Sequence, residues 1–526
     1  MPPNQFRKLT EEQREIVEAP EKFLTVTAYA GTGKTTTLKA FAAARPKEKI
    51  LYLAFNRTLA DDSRRAFVNL KNVEVKTIHS LAWYEIGRHF KEYANLRALD
   101  ILPYVEKYLK GSLLHHYGVA RLVLDVLNDW MLSSKRNLNA FIKDRSRRIT
   151  AKVREFNADS PNLAIRPKSI GVMVNKVWED CQNGTLKMPH NGYLKLFQVS
   201  QASNLSRFDR ILVDEAQDLN ECMIDVVLSN DSQKVFVGDP YQQIYGFNGA
   251  VNALAKAAEA GATPYFLTQS FRCPGFVAHM ANQYLKLLGA PKPFKGLAGP
   301  PESLKKTGEL VIARTNAGLF DFVAKKLSPN RFYYSGGFEG YEFGTILDVV
   351  RLIMEIPQSV SDKFMKNFST IGALEDYADR ARDAVLSTRI RIAKRYRERS
   401  FNIFQEMFKN QTLEESAANF IVTTAHKIKG QEYESVYLLD DFVAIEDIVS
   451  DARKLKKQSA TIDQGPKPQA NLPFSLEEFR LVYVSMTRSF SRLDIPKRYM
   501  ITDSMIEEFN ALCSDGFIEL KDSPPA

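Results

Sequence analysis

Residues 23–40 read FLTVTAYAGTGKTTTLKA: an apolar β-branched run, a turn of small residues, then a helical pattern. No other stretch limits the fold as strongly, because a strand that turns through glycines into a helix opens a parallel sheet flanked by helices. Consecutive backbone N–H groups at Ala30, Gly31, Thr32 and Gly33, with the helix N-terminus behind them, form a cradle for phosphate. Lys34 would reach the terminal phosphates of a nucleotide, and the Thr35 hydroxyl would bind Mg²⁺. Ala28 stands where the usual P-loop pattern has its first glycine. A chance Gly-Lys-Thr is disfavoured by the strand before it and the helix after it.

Such a site needs a carboxylate at the end of a neighbouring strand, and RILVDEAQD (210–218) supplies two. Asp214 would hold Mg²⁺, directly or through water, and Glu215 would take a proton from an attacking water as general base. Two adjacent acids after an apolar strand could instead cap the next helix. Their pairing with the cradle at Lys34 favours the catalytic reading.

Further strands are expected at Ile50–Phe55, Lys234–Val237, Tyr265–Thr268, Glu309–Ala313, Phe420–Thr424, Val436–Leu439 and Leu493–Ile495, alternating with helical patterns. Two helical stretches interrupt them, at about 86–200 and 336–415. SATIDQGPKPQANLP (459–473) reads as a surface loop. The expected fold class is α/β, with two cores that each carry a helical insertion. The first core would hold 1–85 and 201–250 with insertion 86–200, and the second 251–335 and 416–526 with a reduced insertion, 336–415.

Charge points to a polyanionic partner. The net charge is +10, concentrated in two runs: 135–154 holds eight Lys/Arg against one Asp, and 389–399 six against one Glu. Either run alone is equally compatible with a solvated helix face. Four dispersed cysteines, no membrane-length apolar run and no secretory signal pattern suggest a reducing, intracellular setting without a membrane partner.

AYAGTGKT, DEAQD, VGDPYQQIYGFNGA, LTQSFRCP, TTAHKIKGQEYESVYLLDDF and EEFRLVYVSMTR, in this order, resemble the motifs of superfamily 1 DNA helicases of the UvrD/Rep/PcrA type. YLAFNRTLADDSRRAF and VKTIHSLAWYEIGRHF resemble more closely the helicase region of F-box DNA helicases. The first motif begins within ten residues of the N-terminus, so no F-box and no ubiquitin-ligase recruitment are expected. No fused nuclease is expected after Arg488 either.

The resemblance implies two RecA-like P-loop NTPase cores and the following roles. Gln13 would hydrogen-bond adenine, Phe271 would stack on it and Glu432 would contact the ribose. Thr36 stands where relatives often have an arginine beside the base. Gln242 would sense the γ-phosphate, while Arg272 and Arg488 would neutralise the transferred phosphoryl group when the cores close. Phe55, Asn56, His79, Tyr245, Phe247 and His426 would form the DNA track, since stacking tolerates any base sequence. Asn248 and Gln431 also depart from the family pattern, without touching the expected catalytic set.

The expected function is that of an ATP- and Mg²⁺-dependent 3′–5′ DNA helicase and single-strand translocase. It would act as a monomer on single strands and single/double-strand junctions. Alternatives are a translocase that strips proteins such as recombinase filaments from single strands, and an ATP-switched nucleic-acid-binding interaction protein. Recombinases and single-strand-binding proteins are the expected protein partners. The location would be cytoplasmic and nucleoid-associated in a prokaryote or phage, and nuclear in a eukaryote.

Overall fold

A computed structural model describes residues 9–110, 113–158, 164–200, 205–244, 246, 249–297, 308–362, 364–380, 384–460 and 472–521. The chain divides into two compact units, Met1–Ala28 with Gly33–Leu267 and Tyr29–Thr32 with Thr268–Ala526.

The first unit is built on strands β1 (Phe23–Ala28), β2 (Ile50–Ala54), β3 (Val73–Thr77), β4 (Arg210–Val213), β5 (Gln233–Gly238) and β6 (Thr263–Leu267). They pair in the order β3-β2-β4-β5-β1-β6, every pair parallel. Side chains alternate across a strand, so each strand feeds both faces. Ile50, Tyr52, Leu212, Val235 and Val237 pack under Leu38 and Phe41 of the helix Lys34–Ala43. Leu51, Leu53, Ile211, Val213 and Phe236 point the other way, into a core shared with the helices Ala98–Tyr108, Leu113–Leu132, Pro167–Gln182 and His190–Val199. The helical stretch at 86–200 therefore covers one face of the sheet rather than hanging from it.

The second unit begins with the short pair β7 (Gln269–Ser270) and β8 (Lys295–Gly296). Its main sheet comprises β9 (Glu309–Ala313), β10 (Phe332–Tyr334), β11 (Phe420–Thr424), β12 (Tyr433–Leu438) and β14 (Ser489–Asp494), ordered β10-β11-β9-β12-β14 and again parallel. A separate pair joins β13 (Leu472–Phe474) to β15 (Ile518–Leu520). Val311, Phe332 and Val422 of the main sheet share one core with Ile346, Val349, Ile390 and Met407 from the 336–415 stretch.

Three expectations change. The first unit runs to Leu267 rather than residue 250, because β6 pairs with β1 through Leu24↔Thr263 to Ala28↔Leu267. Strands β3 and β10 and the short pairs β7–β8 and β13–β15 were not anticipated, and β14 starts at Ser489 rather than at Leu493. The proposed loop at 459–473 lies mostly outside the described residues; its first residues end the helix Ile445–Ala460 and its last belong to β13. Among the described residues, no helix is long and apolar enough to cross a membrane.

Candidate active site

In parallel α/β sheets ligands gather at the carboxyl ends of the strands, and the candidate residues of the first unit lie there. Val213 of β4 is followed by Asp214 and Glu215, and Gly238 of β5 by Asp239. Lys34 opens the helix that follows the cradle, with Gly33 in the left-handed region at φ 81°. Its ammonium donates to Glu215 Oε1 at 2.5 Å. Burial alone would lower the lysine pKa, but Glu215 and then Asp214 outweigh it and hold the pKa above the ordinary value. The Asp214 carboxyl is pushed up, first by burial and then by the adjacent Glu215 charge. It accepts hydrogen bonds from the Tyr52 hydroxyl and from the Glu215 N–H, the latter at 2.9 Å.

Glu215 itself adopts φ 50°, ψ 43°, a left-handed conformation that costs a non-glycine residue about 1–2 kcal/mol. Gln217 holds it there: its amide donates to Glu215 Oε2 at 2.5 Å, and its carbonyl oxygen accepts the Asp239 N–H at 3.0 Å. Gln242 donates to Asp239 Oδ2 at 2.6 Å, so the β4 and β5 ends form one hydrogen-bonded unit. Gly238 makes this possible, because a Cβ there would collide with Gln217 Oε1 and come within 3.0 Å of the Ala216 nitrogen. Tyr52, Gln217, Gly238 and Asp239 were not identified from sequence. Gln217 lies within DEAQD, and Gly238 and Asp239 within VGDPYQQ, but no role followed for them from those motifs; Tyr52 had only its place in an otherwise apolar strand as a signal.

The donor set fits Mg²⁺. Asp214 offers a carboxylate and Thr35 an exposed hydroxyl, both hard oxygen donors, and three acids share the single Lys34 charge. Among the described residues, no group of three or more His, Cys, Asp or Glu could hold a metal alone.

Other expected residues are placed as follows. Gln13 is buried and closes a capping box, its Oε1 accepting the Thr10 N–H at 3.1 Å and its N–H donating to Thr10 Oγ1 at 3.2 Å. Thr36 is exposed. Phe55 follows β2 and packs partly against the core, while Asn56 caps the helix Arg57–Ala66 by accepting the Leu59 N–H. His79 follows β3 directly, so it lies one strand over from Phe55. Burial, with His190 nearby, lowers its pKa to about 4, and its Nδ1 is buried without a hydrogen-bond partner. Tyr245 and Phe247 lie outside the described residues.

In the second unit, Arg272 pairs with Glu432 at 2.9 Å, and Arg488 is almost fully buried. Arg488 donates to the carbonyls of Val484 at 2.9 Å and Gln431 at 3.4 Å and to Thr487 Oγ1 at 3.2 Å. Burial and the neighbouring Arg272 charge push its pKa down to about 10. Gly31 approaches Arg272 closely: a Cβ on it would run into that of Arg272, and the Phe271 N–H donates to its carbonyl at 2.9 Å. Phe271 is exposed, and His426 Nε2 lies 3.8 Å from Glu477.

Residues 9–261 match the UvrD/REP helicase N-terminal domain. The chain is 29% identical over 98% of its length to F-box DNA helicase 1 of Gallus gallus, covering 51% of that protein. It is 28% identical over 92% of its length to F-box DNA helicase protein 1 of Schizosaccharomyces pombe, covering 57%. A probable DNA helicase II homolog of Mycoplasma genitalium is 23% identical over 53% of this chain, which covers 42% of that protein. The chain thus spans about half the length of the curated relatives it matches.

Proposed function

We propose that the chain is an ATP-dependent DNA helicase and single-strand translocase moving 3′ to 5′, because residues 9–261 match the UvrD/REP helicase N-terminal domain and the chain is similar to F-box DNA helicases over nearly its whole length. The observation that carries this reading is the cluster of Lys34, Asp214 and Glu215 at the strand ends, braced by Gln217 and Asp239. An inert helix cap would not require an acid held in a strained conformation against a buried ammonium.

In the proposed reaction a water oxygen forms a bond to the γ-phosphorus of ATP, and the bond from that phosphorus to the β,γ-bridging oxygen breaks. Glu215 accepts the water proton, and Lys34 offsets phosphate charge. Thr35 and Asp214 would hold Mg²⁺, which when bound would supply further neutralisation of phosphate charge. Gln217 keeps Glu215 aimed, and Tyr52 fixes the Asp214 carboxylate. Arg272 and Arg488 are the proposed partners of the developing negative charge. Phe55, Asn56, His79 and His426 are the described members of the proposed DNA track; single-stranded DNA and its junctions with duplex are the proposed substrates.

The test is ATP hydrolysis and strand separation on 3′-tailed, 5′-tailed and RNA-containing duplexes. Hydrolysis stimulated by single-stranded DNA, with separation only of 3′-tailed duplex, is the expected result. Hydrolysis indifferent to DNA would overturn the motor reading in favour of an ATP switch. Clearance of protein-coated strands without duplex separation would favour the stripping translocase.

A further inference from the structure

Beside the end of β3, rings from three separate segments meet. The helix Ile78–Glu85 contributes His79 and Trp83, the following stretch contributes Tyr93, and the helix His190–Val199 contributes His190 and Tyr193, with Tyr84 next to Trp83 on the first helix. Trp83 lies 4.4 Å from Tyr93 and 5.9 Å from Tyr193, centroid to centroid. Tyr193 in turn lies 5.9 Å from His79, and His190 sits 5.9 Å from Tyr93.

Burial grades sharply across this cluster. Tyr193 is buried at its base, Trp83 is half-buried, and Tyr93 and Tyr84 are 47% and 62% exposed. A cluster serving only the core would bury its large rings inward. This one uses its inner rings to brace outer rings that face solvent. The Arg88 guanidinium lies 4.4 Å over the Tyr84 ring, and Arg88 and Lys91 have no carboxylate partner among the described residues. Glu85 and Glu92 flank these cations in sequence, so the local charge is balanced and stacking, rather than bulk attraction, would dominate recognition. His79 links the cluster to the strand ends, with a buried Nδ1 that lacks a partner.

We propose that Trp83, Tyr84 and Tyr93 form a stacking ledge for unpaired nucleobases, continuing outward from Phe55 and His79, with Arg88 and Lys91 placed for the phosphates between them. The proposal rests on the single-strand-binding part of the function above and adds residues that the helicase motifs do not assign. Each base stacked on an aromatic side chain contributes ~1–3 kcal/mol. A ledge of this kind holds a strand without reading its sequence.

The protein carries its own reporter. Of its three tryptophans, Trp130 and Trp178 are buried against one another at 4.6 Å, which leaves Trp83 as the one a base can reach. Titration of the full chain with a short oligothymidylate should quench tryptophan emission, and Trp83→Phe should remove most of that quench. Tyr93→Ala and Tyr84→Ala should each weaken binding by roughly five- to hundredfold, whereas Tyr93→Phe should bind like the wild type. Fluorescence anisotropy of a labelled strand gives the affinities, and thermal melting separates a folding defect from a lost contact. Wild-type affinity in both exposed-tyrosine variants would overturn the ledge while leaving the motor reading intact. No binding of any single strand by the wild type would overturn the single-strand reading itself, and the ledge with it.

Discussion

Lys34 Nζ and Glu215 Oε1 lie 2.5 Å apart although 181 residues separate them in sequence. The pair joins the helix after β1 to the turn after β4, and one ammonium there faces the carboxylates of Glu215, Asp214 and Asp239. Removing it leaves that negative charge facing incoming phosphates. Lys34→Ala is expected to lower DNA-stimulated ATP hydrolysis by at least about 100-fold, while single-strand binding stays measurable. Phosphate release and strand anisotropy check the two halves, and undiminished turnover would contradict the site assignment.

Arg488 donates to two backbone carbonyls and a threonine hydroxyl and lies near Arg272, which lowers its pKa in addition to the effect of burial. A cation kept in so costly a place is expected to act on charge that develops during reaction. Arg488→Ala should lower kcat by roughly 100- to 1,000-fold and weaken nucleotide affinity far less. A melting curve on the same variant measures the structural cost of losing the buried hydrogen bonds. Equal losses in kcat and affinity would argue for a ground-state role.

Gly238 is the point where the ends of β4 and β5 come together, and a methyl group there would displace Gln217. Gly238→Ala is expected to lower stability by about 1–3 kcal/mol and to lower turnover, because Glu215 loses its brace. Adding Gln217→Ala should recover part of the stability and none of the turnover. Urea unfolding and phosphate release on the two variants decide the matter.

His79 has a pKa of about 4, depressed by burial and by His190, so it is neutral at pH 7. The unfolded chain, with an ordinary histidine pKa of ~6.5, binds this proton more readily than the folded one. Its contribution to stability is therefore complete above pH ~6.5 and declines as the pH falls toward 4, by at most about 1.4 kcal/mol per pH unit. His79→Phe should flatten this part of the curve, as measured by urea midpoints between pH ~4.5 and ~7.5. Parallel curves for the two proteins would show that the histidine is freely protonated.

Sequence and structure agree where information is local. β1, β4, β9 and β11 are apolar β-branched runs, and each lies at or within a residue of its expected span. β3, VEVKT, escaped notice because Glu74 and Lys76 alternate with its valines, as suits an edge strand. The domain boundary shifted because no local pattern tells β6 which sheet to join. The same limit applies to the site. Lys34, Asp214 and Glu215 are legible as motifs, whereas Tyr52 meets Asp214 only because β2 lies beside β4. The two helical stretches were legible as helices, but period alone could not show that they share cores with the sheets.

The strand order carries a consequence for how the chain reaches this state. β1 has two neighbours, β5 and β6, and neither begins before residue 233. On a ribosome the strand before the phosphate cradle thus waits unpaired while some 200 residues, including β2, β3 and β4, emerge behind it. Pairing over so long a separation is slow, and an exposed strand such as FLTVTA is prone to pair with other chains in the meantime. The strand that leads into the phosphate cradle can enter its sheet only after β5 and β6 have emerged.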